Sequence, residues 1–216
     1  MKHLLFDLDG TIIEPQEGIL NSLRHAVDMM GVAMPTDDEL RQFIGPPIVD
    51  SFQRQFGLSP SEAQQGIQYF RNYYAQTGIH QNALFPHIPE LFKSLHQLGY
   101  MLYVATSKPT VFAKEILQKH ELDHLFVEIV GSNLDNSRSD KAEIIGYILD
   151  TYQLKPSHCL MIGDTPYDII GAKKHHMQSV GVTYGHGHFK HHQADFTVDD
   201  VYHLEALIKK EFPVDN

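Results

Sequence analysis

The sequence has few of the features that mark secreted, membrane and nucleic-acid-binding proteins. It contains one cysteine, Cys159, so no disulfide can form within the chain, and we expect a reducing compartment. No uncharged run approaches the roughly 20 residues that span a bilayer, and the apolar run before Asp7 is too short for a signal-peptide core. Lys and Arg number 17 against 27 Asp and Glu, and this net charge of −10 disfavours phosphate backbones and anionic membranes as partners. We therefore expect a soluble cytoplasmic protein that binds neither a nucleic-acid polymer nor a membrane.

Short apolar runs and helical patterns alternate along most of the chain. The 216 residues, 42% of them hydrophobic, are enough for one domain with a modest insertion. Alternation of strands and helices predicts an α/β fold, with a Rossmann-like parallel sheet and helices on both faces. The predicted strands are 3–6, 100–105, 126–130, 159–162, 179–182 and 196–198, and the predicted helices of this core are 90–98, 110–120, 141–152, 166–175 and 204–211.

The alternation is interrupted after the first strand, where only helical patterns follow. They predict helices over 19–30, 37–43, 48–56 and 61–74, separated by turn residues. Thr36 and Ser59 are predicted N-caps, because each precedes acidic residues in a first helical turn. We therefore predict a small all-α cap over residues 16–79, inserted into a core domain formed by residues 1–15 and 80–216.

Two carboxylates, Asp7 and Asp9, directly follow the first predicted strand. Ligands bind at the carboxyl edge of open α/β sheets. Residues two apart in extended chain project to the same side, so both acids are expected to face one cavity. Their mutual repulsion is costly unless a cation lies between them or one acid keeps a proton.

Three further groups follow later predicted strands. Asp164 and Asp168 follow strand 159–162 and add carboxylates to the same edge, which suits a hard cation, and we expect Mg²⁺. Thr106 and Ser107 follow strand 100–105, and hydroxyls with free N–H groups at a helix entrance suit a phosphate. Lys141 opens a helix, where an ammonium can neutralise phosphate oxygens.

The order of these motifs resembles that of the haloacid dehalogenase-like (HAD) superfamily over nearly the whole chain. Within it, segments 84–86, 106–109 and 181–187 are similar to phosphoglycolate phosphatases, and the helical insertion is similar to that superfamily's small α-helical cap. The four motifs are Asp7-x-Asp9-Gly10-Thr11, Thr106, Lys141 and Gly163-Asp164-x-x-x-Asp168.

The resemblance implies a Mg²⁺-dependent phosphatase that forms an aspartyl-phosphate. Asp7 is then the nucleophile, and Asp9 first protonates the leaving oxygen and then activates water. The ion is implied to be held by Asp7, the backbone carbonyl of Asp9 and Asp164. Asp168 is implied to support the ion, directly or through water or Lys141. The residues implied to bind phosphate are Thr11, Thr106, Ser107 and Lys141.

Departures from other branches of the superfamily favour phosphatase chemistry. Dehalogenases lack the second acid, here Asp9; ion pumps have Lys where Leu8 stands; the phosphoglucomutase branch usually has Val where Thr11 stands. Phosphoglycolate is the first substrate that the resemblance suggests. Loop 131–135 is similar to relatives described as 5′-nucleotidases, so nucleoside monophosphates are an alternative, with phosphotyrosine or aryl phosphates more distant. A non-catalytic phosphate-binding module and a phosphoryl-transferring mutase are alternatives of other classes.

Several segments have alternative interpretations at this stage. Lys108 is a rival to Lys141 as the catalytic cation. Segment 45–47 is either a loop that faces the active site or a plain helix–helix turn, and Arg71, Tyr73 and Tyr74 are either substrate contacts or a polar surface. His87 stands where relatives often have Gly. A metal site formed by six histidines is a further alternative that the sequence leaves undecided. They are His175, His176, His186, His188, His191 and His192.

Overall fold

The chain folds into two compact units. The structure is a computed structural model that describes residues 2–44, 48, 52, 56–135, 137–187 and 193–214. One unit, which we name the core unit, is formed by Met1–Glu14 and Leu84–Asn216. The other, which we name the helical unit, is formed by Pro15–Ala83.

The core unit is built on one sheet of six parallel strands, and a separate pair of two-residue strands lies where the chain passes between the units. The strands are β1 (His3–Phe6), β2 (Ile13–Glu14), β3 (Ala83–Leu84), β4 (Met101–Pro109), β5 (Phe126–Ser132), β6 (Cys159–Gly163), β7 (Gln178–Val182) and β8 (Phe196–Val198). The large sheet has the order β5-β4-β1-β6-β7-β8, and β2 pairs with β3. β1 therefore lies inside the sheet with β4 on one side and β6 on the other.

Helices cover both faces of the large sheet. The core-unit helices are α4 (Ile88–Gln97), α5 (Thr110–Lys119), α6 (Lys141–Thr151), α7 (Pro166–Lys174) and α8 (Val201–Glu211). Leu5, Tyr103 and Met161 stand side by side in the register and pack in one apolar cluster with residues of α6 and α7. The next residue of β1, Phe6, points to the opposite face, where it meets Phe92 of α4 edge-on at 5.0 Å between ring centroids. The predicted fold class is confirmed.

The differences from the predicted elements are local. β2 and β3 were not predicted, since two-residue strands are too short to show a periodic pattern. β4 continues to Pro109, where the sequence predicted a loop and helix entrance after Ala105. Pairing with β5 resumes after a register shift, with Pro109 opposite Ser132, so the chain stays extended up to the start of α5.

The helical unit contains three described helices, α1 (Gln16–Met30), α2 (Asp37–Arg41) and α3 (Pro60–Gln76). The predicted N-caps Thr36 and Ser59 are confirmed, and each forms a capping box with the glutamate three residues on. The fully buried Phe52 packs edge-on against Phe43 and Phe70, so aromatic contacts form much of the unit's interior. Residues 45–47 and most of the predicted helix 48–56 lie outside the described residues. Over the described ranges, every helix is too short or too polar to cross a bilayer.

Candidate active site

Three neighbouring strands end at the same edge of the sheet and carry the predicted motif residues. Asp7 follows β1, Asp164 follows β6, and Thr106 lies in the last part of β4, where the register with β5 shifts. β4 and β5 lie on one side of β1, whereas β6, β7 and β8 lie on the other. The strand order therefore reverses direction beside β1, and open α/β sheets bind ligands at such a switch point. The topology therefore brings side chains from distant parts of the sequence to one place.

Asp7, Asp164 and Asp168 form a buried cluster of carboxylates. One oxygen from each lies within 4.8 Å of the others, and the three residues are 6%, 1% and 1% exposed. Burial, together with repulsion from Asp7 and Asp168, raises the pKa of Asp164 to about 8. Burial likewise raises the pKa of Asp168. Three carboxylates that are this close together and this deeply buried are stable in the ionised form only beside positive charge.

Lys141 supplies part of that charge from the first turn of α6. Its ammonium lies 2.9 Å from Asp7 Oδ1 and 2.7 Å from Asp168 Oδ1, and it donates to the carbonyl of Ala105 at 2.9 Å. Burial acts to lower the pKa of Lys141, but the two carboxylates outweigh it and raise that pKa above its ordinary value. With all three carboxylates ionised, the Lys141 ammonium would leave two of their negative charges uncompensated. An all-oxygen donor set with that residual charge fits a hard divalent cation.

The carboxylate of Asp9 lies outside this cluster and pairs with Lys108. The Lys108 ammonium is 2.9 Å from Asp9 Oδ1, with side-chain exposures of 6% and 17%. Burial raises the pKa of Asp9, and the charge of Lys108 acts against that rise. The sequence presented Lys108 and Lys141 as rival cations, and the structure gives each of them a different aspartate.

The predicted phosphate-binding residues lie at the same sheet edge with distinct partners. Thr106 is 1% exposed, and its hydroxyl oxygen accepts the N–H of Lys108 at 3.2 Å. The hydroxyl of Ser107 donates to the carbonyl of Ser139 at 3.2 Å. Thr11 is fully buried and its hydroxyl donates to Asp164 Oδ1 at 3.4 Å, so in this structure it holds an acid of the cluster.

Two backbone donors at this edge were missed by the sequence reasoning. The N–H groups of His186 and Gly187 both donate to Asp164 Oδ2, each at 2.9 Å. Every residue except proline carries such a donor, so the only signal available was the glycine-rich run at 181–187 after a predicted strand.

The remaining candidates lie elsewhere or outside the described residues. In the helical unit, Tyr74 is 4% exposed and stacks on Phe70, whereas Tyr73 stacks on His25 at 4.8 Å. The ring of His175 contacts the carbonyl oxygen of Ala142 at 2.8 Å. The six histidines considered as an alternative metal site are covered only in part, since His188, His191 and His192 lie outside the described residues.

Comparison with known proteins identifies the family. A model described as haloacid dehalogenase-like hydrolase matches residues 4–182. The chain belongs to this family. Among its relatives, a 5′-nucleotidase of Pseudomonas aeruginosa is 42% identical over 185 residues, which cover 86% of this chain and 84% of that protein.

Two further similarities cover almost the whole chain. A phosphoglycolate phosphatase of Vibrio parahaemolyticus is 29% identical over 219 residues, with 96% of each chain covered. The crystal structure of a predicted phosphatase from Clostridium acetobutylicum superimposes with a TM-score of 0.92 at 38% identity, covering 96% of this chain and 97% of that one. With its HAD family membership and phosphatase relatives, the chain is a phosphoric monoester hydrolase.

Proposed function

We propose that the chain is a Mg²⁺-dependent phosphatase that hydrolyses a small phosphomonoester through an aspartyl-phosphate on Asp7. The observation that carries this proposal is the buried cluster of Asp7, Asp164 and Asp168, in which the Lys141 ammonium contacts Asp7 and Asp168. Residual negative charge at this sheet edge would repel a phosphate unless a divalent cation were bound. Asp7, Asp164 and Asp168 are the side chains that would hold it, with the backbone carbonyl of Asp9.

In the first step, a carboxylate oxygen of Asp7 attacks phosphorus and the bond from phosphorus to the ester oxygen breaks. A divalent cation held by Asp7, Asp164 and Asp168 would supply positive charge that neutralises phosphate oxygens. Lys141 holds Asp7 Oδ1 at 2.9 Å, which orients the nucleophile, and its charge offsets the negative charge of the phosphoryl oxygens. Thr106 and the N–H of Ser107 are assigned to the remaining phosphate oxygens.

Asp9 is assigned the proton transfers. Of the two acids in the first motif, its carboxylate is the one outside the three-acid cluster. It gives its proton to the leaving oxygen, then takes a proton from the water that attacks the aspartyl-phosphate, which releases phosphate and restores Asp7. Lys108, at 2.9 Å, orients the Asp9 carboxylate between these steps.

The helical unit is proposed to be the cap that selects the leaving group. It is inserted directly after the first motif, between β2 and β3, as the resemblance to capped phosphatases implies. We propose core boundaries of 1–15 and 80–216 and a cap over 16–79.

The single cysteine, Cys159, is a buried free thiol, and we propose a cytoplasmic location.

Two substrate classes are proposed. A nucleoside 5′-monophosphate is supported by the 42% identity to a 5′-nucleotidase. Phosphoglycolate is supported by the phosphoglycolate phosphatase of which 96% aligns with this chain. Both substrates present a phosphomonoester to the same aspartates and differ only in the leaving group.

The proposal is tested with purified protein and a panel of phosphomonoesters, each assayed with Mg²⁺ and with excess chelator. The panel contains phosphoglycolate, nucleoside monophosphates, sugar phosphates and phosphotyrosine, and the readout is released phosphate. We expect Mg²⁺-dependent release, with the highest kcat/KM on one of the two proposed classes. Phosphate release that persists in chelator would contradict the metal requirement.

Two other results would overturn the proposal. Tight binding of a phosphorylated ligand without turnover would indicate a regulatory binding module. Isotopic phosphorus that appears in an isomerised sugar phosphate, and not in free phosphate, would indicate a mutase.

A further inference from the structure

A short loop after β7 holds one carboxylate of the three-acid cluster. We name residues 183–187 the 183–187 loop. It begins at Thr183, whose N–H donates to the carbonyl of Val198 at 2.9 Å. It ends on Asp164, where the N–H groups of His186 and Gly187 both donate to Oδ2. Two donors on one oxygen fix the rotation of the carboxylate, and the position of Asp164 therefore depends on this loop.

The loop lies in backbone contact with the residues that it holds. A Cβ at Gly185 would lie 2.2 Å from the carbonyl oxygen of Gly10 and 2.5 Å from Cβ of Asp164. A Cβ at Gly187 would lie 2.0 Å from the carbonyl oxygen of Asp164. Only glycine permits this approach, so the loop's distance from Asp164 is set by main chain rather than by adjustable side chains.

The alternate residues of the loop reach back to the segment that follows β1. The hydroxyl of Tyr184 donates to the carbonyl of Thr11 at 3.0 Å. The ring Nε2 of His186 lies 2.7 Å from Oε1 of Glu14, which is the last residue of the core unit before the helical unit begins. His186 thus bonds Asp164 through its backbone and Glu14 through its side chain.

The Glu14–His186 contact is not explained by packing in the apolar core. The two side chains are 41% and 22% exposed, so water can solvate both if the contact is broken. What the contact adds is a fixed position for the His186 backbone, and therefore for the N–H that Asp164 accepts. We propose that Glu14 and His186 are a positioning pair that holds Asp164 ready to bind the divalent cation, an inference that rests on the proposed function.

The test measures cation binding directly, with Mn²⁺ as the probe and free Mn²⁺ followed by electron paramagnetic resonance. The variants are Glu14→Ala, His186→Ala and the double variant, and Glu14→Gln keeps an acceptor oxygen for the ring. Partners of metal ligands typically change metal affinity by about 10- to 100-fold when removed. We expect each alanine variant to weaken Mn²⁺ binding by about 10-fold or more, the double variant to be no weaker than the worse single one, and Glu14→Gln to recover most of the affinity.

The matched control is Arg24→Ala, which breaks a partly exposed ion pair with Asp37 at 2.7 Å in the helical unit. We expect it to leave the Mn²⁺ affinity unchanged. Unfolding midpoints measured in chelator separate positioning from stability, because a purely structural pair would lower the midpoint and leave Mn²⁺ affinity as in the wild type. That result, or multiplicative losses in the double variant, would overturn the inference. Failure of the wild-type protein to bind Mn²⁺ would instead overturn the proposed metal function.

Discussion

The ammonium of Lys108 and the carboxylate of Asp9 form an ion pair at 2.9 Å, and both side chains are largely withdrawn from water. The pair stands beside a second one, between Lys141 and Asp7, at the same distance. Removing one partner of such a pair leaves a buried charge without compensation, which is far more costly than losing an exposed pair. The two acids of the first motif are therefore held by different lysines and are expected to respond separately to mutation.

Lys108→Met is expected to reduce kcat strongly while the fold survives. The side chain keeps its length and apolar stem, but Asp9 loses the cation that orients it. Because general acid–base catalysis contributes about 10²- to 10⁴-fold, we expect a fall of roughly 100-fold in kcat. Steady-state kinetics on the best panel substrate measures it. Lys114→Met, which breaks the exposed ion pair with Glu128, is the control, and an equal loss of kcat there would contradict the assignment.

Asp7→Asn is expected to abolish turnover. The amide has the shape of the carboxylate but cannot attack phosphorus, and removal of a nucleophile costs enzymes about 10⁴-fold or more in kcat. Acid-quenched reactions with ³²P-labelled substrate should trap a phosphoenzyme in the wild type and none in the variant. Asp150→Asn, at an exposed position of α6, should behave like the wild type. Trapped label in Asp7→Asn would place the nucleophile elsewhere.

Removal of the divalent cation is expected to lower the thermal unfolding midpoint as well as activity. A cation that binds the folded cluster stabilises it by about 2.7 kcal/mol at a concentration of 100 times its Kd. For a chain of this size, each kcal/mol shifts the midpoint by about 2–4 °C. Differential scanning calorimetry with Mg²⁺ and with chelator measures the shift. The shift should vanish in Asp164→Asn, and an undiminished shift there would locate the binding site outside the cluster.

Stability at low pH should depend on Glu205 of α8. Burial acts to raise the pKa of Glu205, but hydrogen bonds from Lys209, His87 and Ser94 outweigh it and lower that pKa to about 2. A depressed carboxyl pKa stabilises the fold above its ordinary value of 4.5, and the stabilisation is lost as the pH falls from there toward 2.

Urea unfolding at pH 5.5 and pH 3 measures this contribution. The Glu205→Gln variant should be less stable than the wild type at pH 5.5, and the difference should shrink at pH 3. Glu115→Gln, exposed on α5, should show no such pH-dependent difference from the wild type. A difference for Glu205→Gln that stays constant between the two pH values would contradict the mechanism.

The core strands were predictable because their side chains are buried on both faces of a parallel sheet. Apolar and polar residues do not alternate along such strands, so each strand is a continuous apolar run between polar turns. His87 stands where relatives often have Gly, but the sequence could not indicate the contact that this histidine makes. It adopts φ of +70°, a left-handed conformation that favours glycine, and it is held there by a contact of 2.6 Å with Glu205, a residue more than a hundred positions away.

The sequence predicted which motif residues lie near one another at this sheet edge, but it did not predict which side chains pair. Aspartates after strand ends indicated where the carboxylates would meet. Which lysine faces Asp7 and which faces Asp9 depends on the irregular end of β4, where the register shifts between Ala105 and Pro109. The 183–187 loop positions Asp164 through hydrogen bonds from backbone N–H groups, and the direction of these groups is not specified by the residue type.

The backbone hydrogen bond between Phe85 and Ile12 has a consequence for how the sequence of this protein can change during evolution. The N–H of Phe85 donates to the carbonyl of Ile12 at 3.1 Å, so the chain leaves the sheet for its long insertion and returns within one hydrogen bond of its exit. The closure entropy of a segment joined at two such points grows slowly, by about 0.6 kcal/mol for each doubling of length. Segments of very different size can be exchanged there during evolution while the aspartates at the strand ends stay where they are.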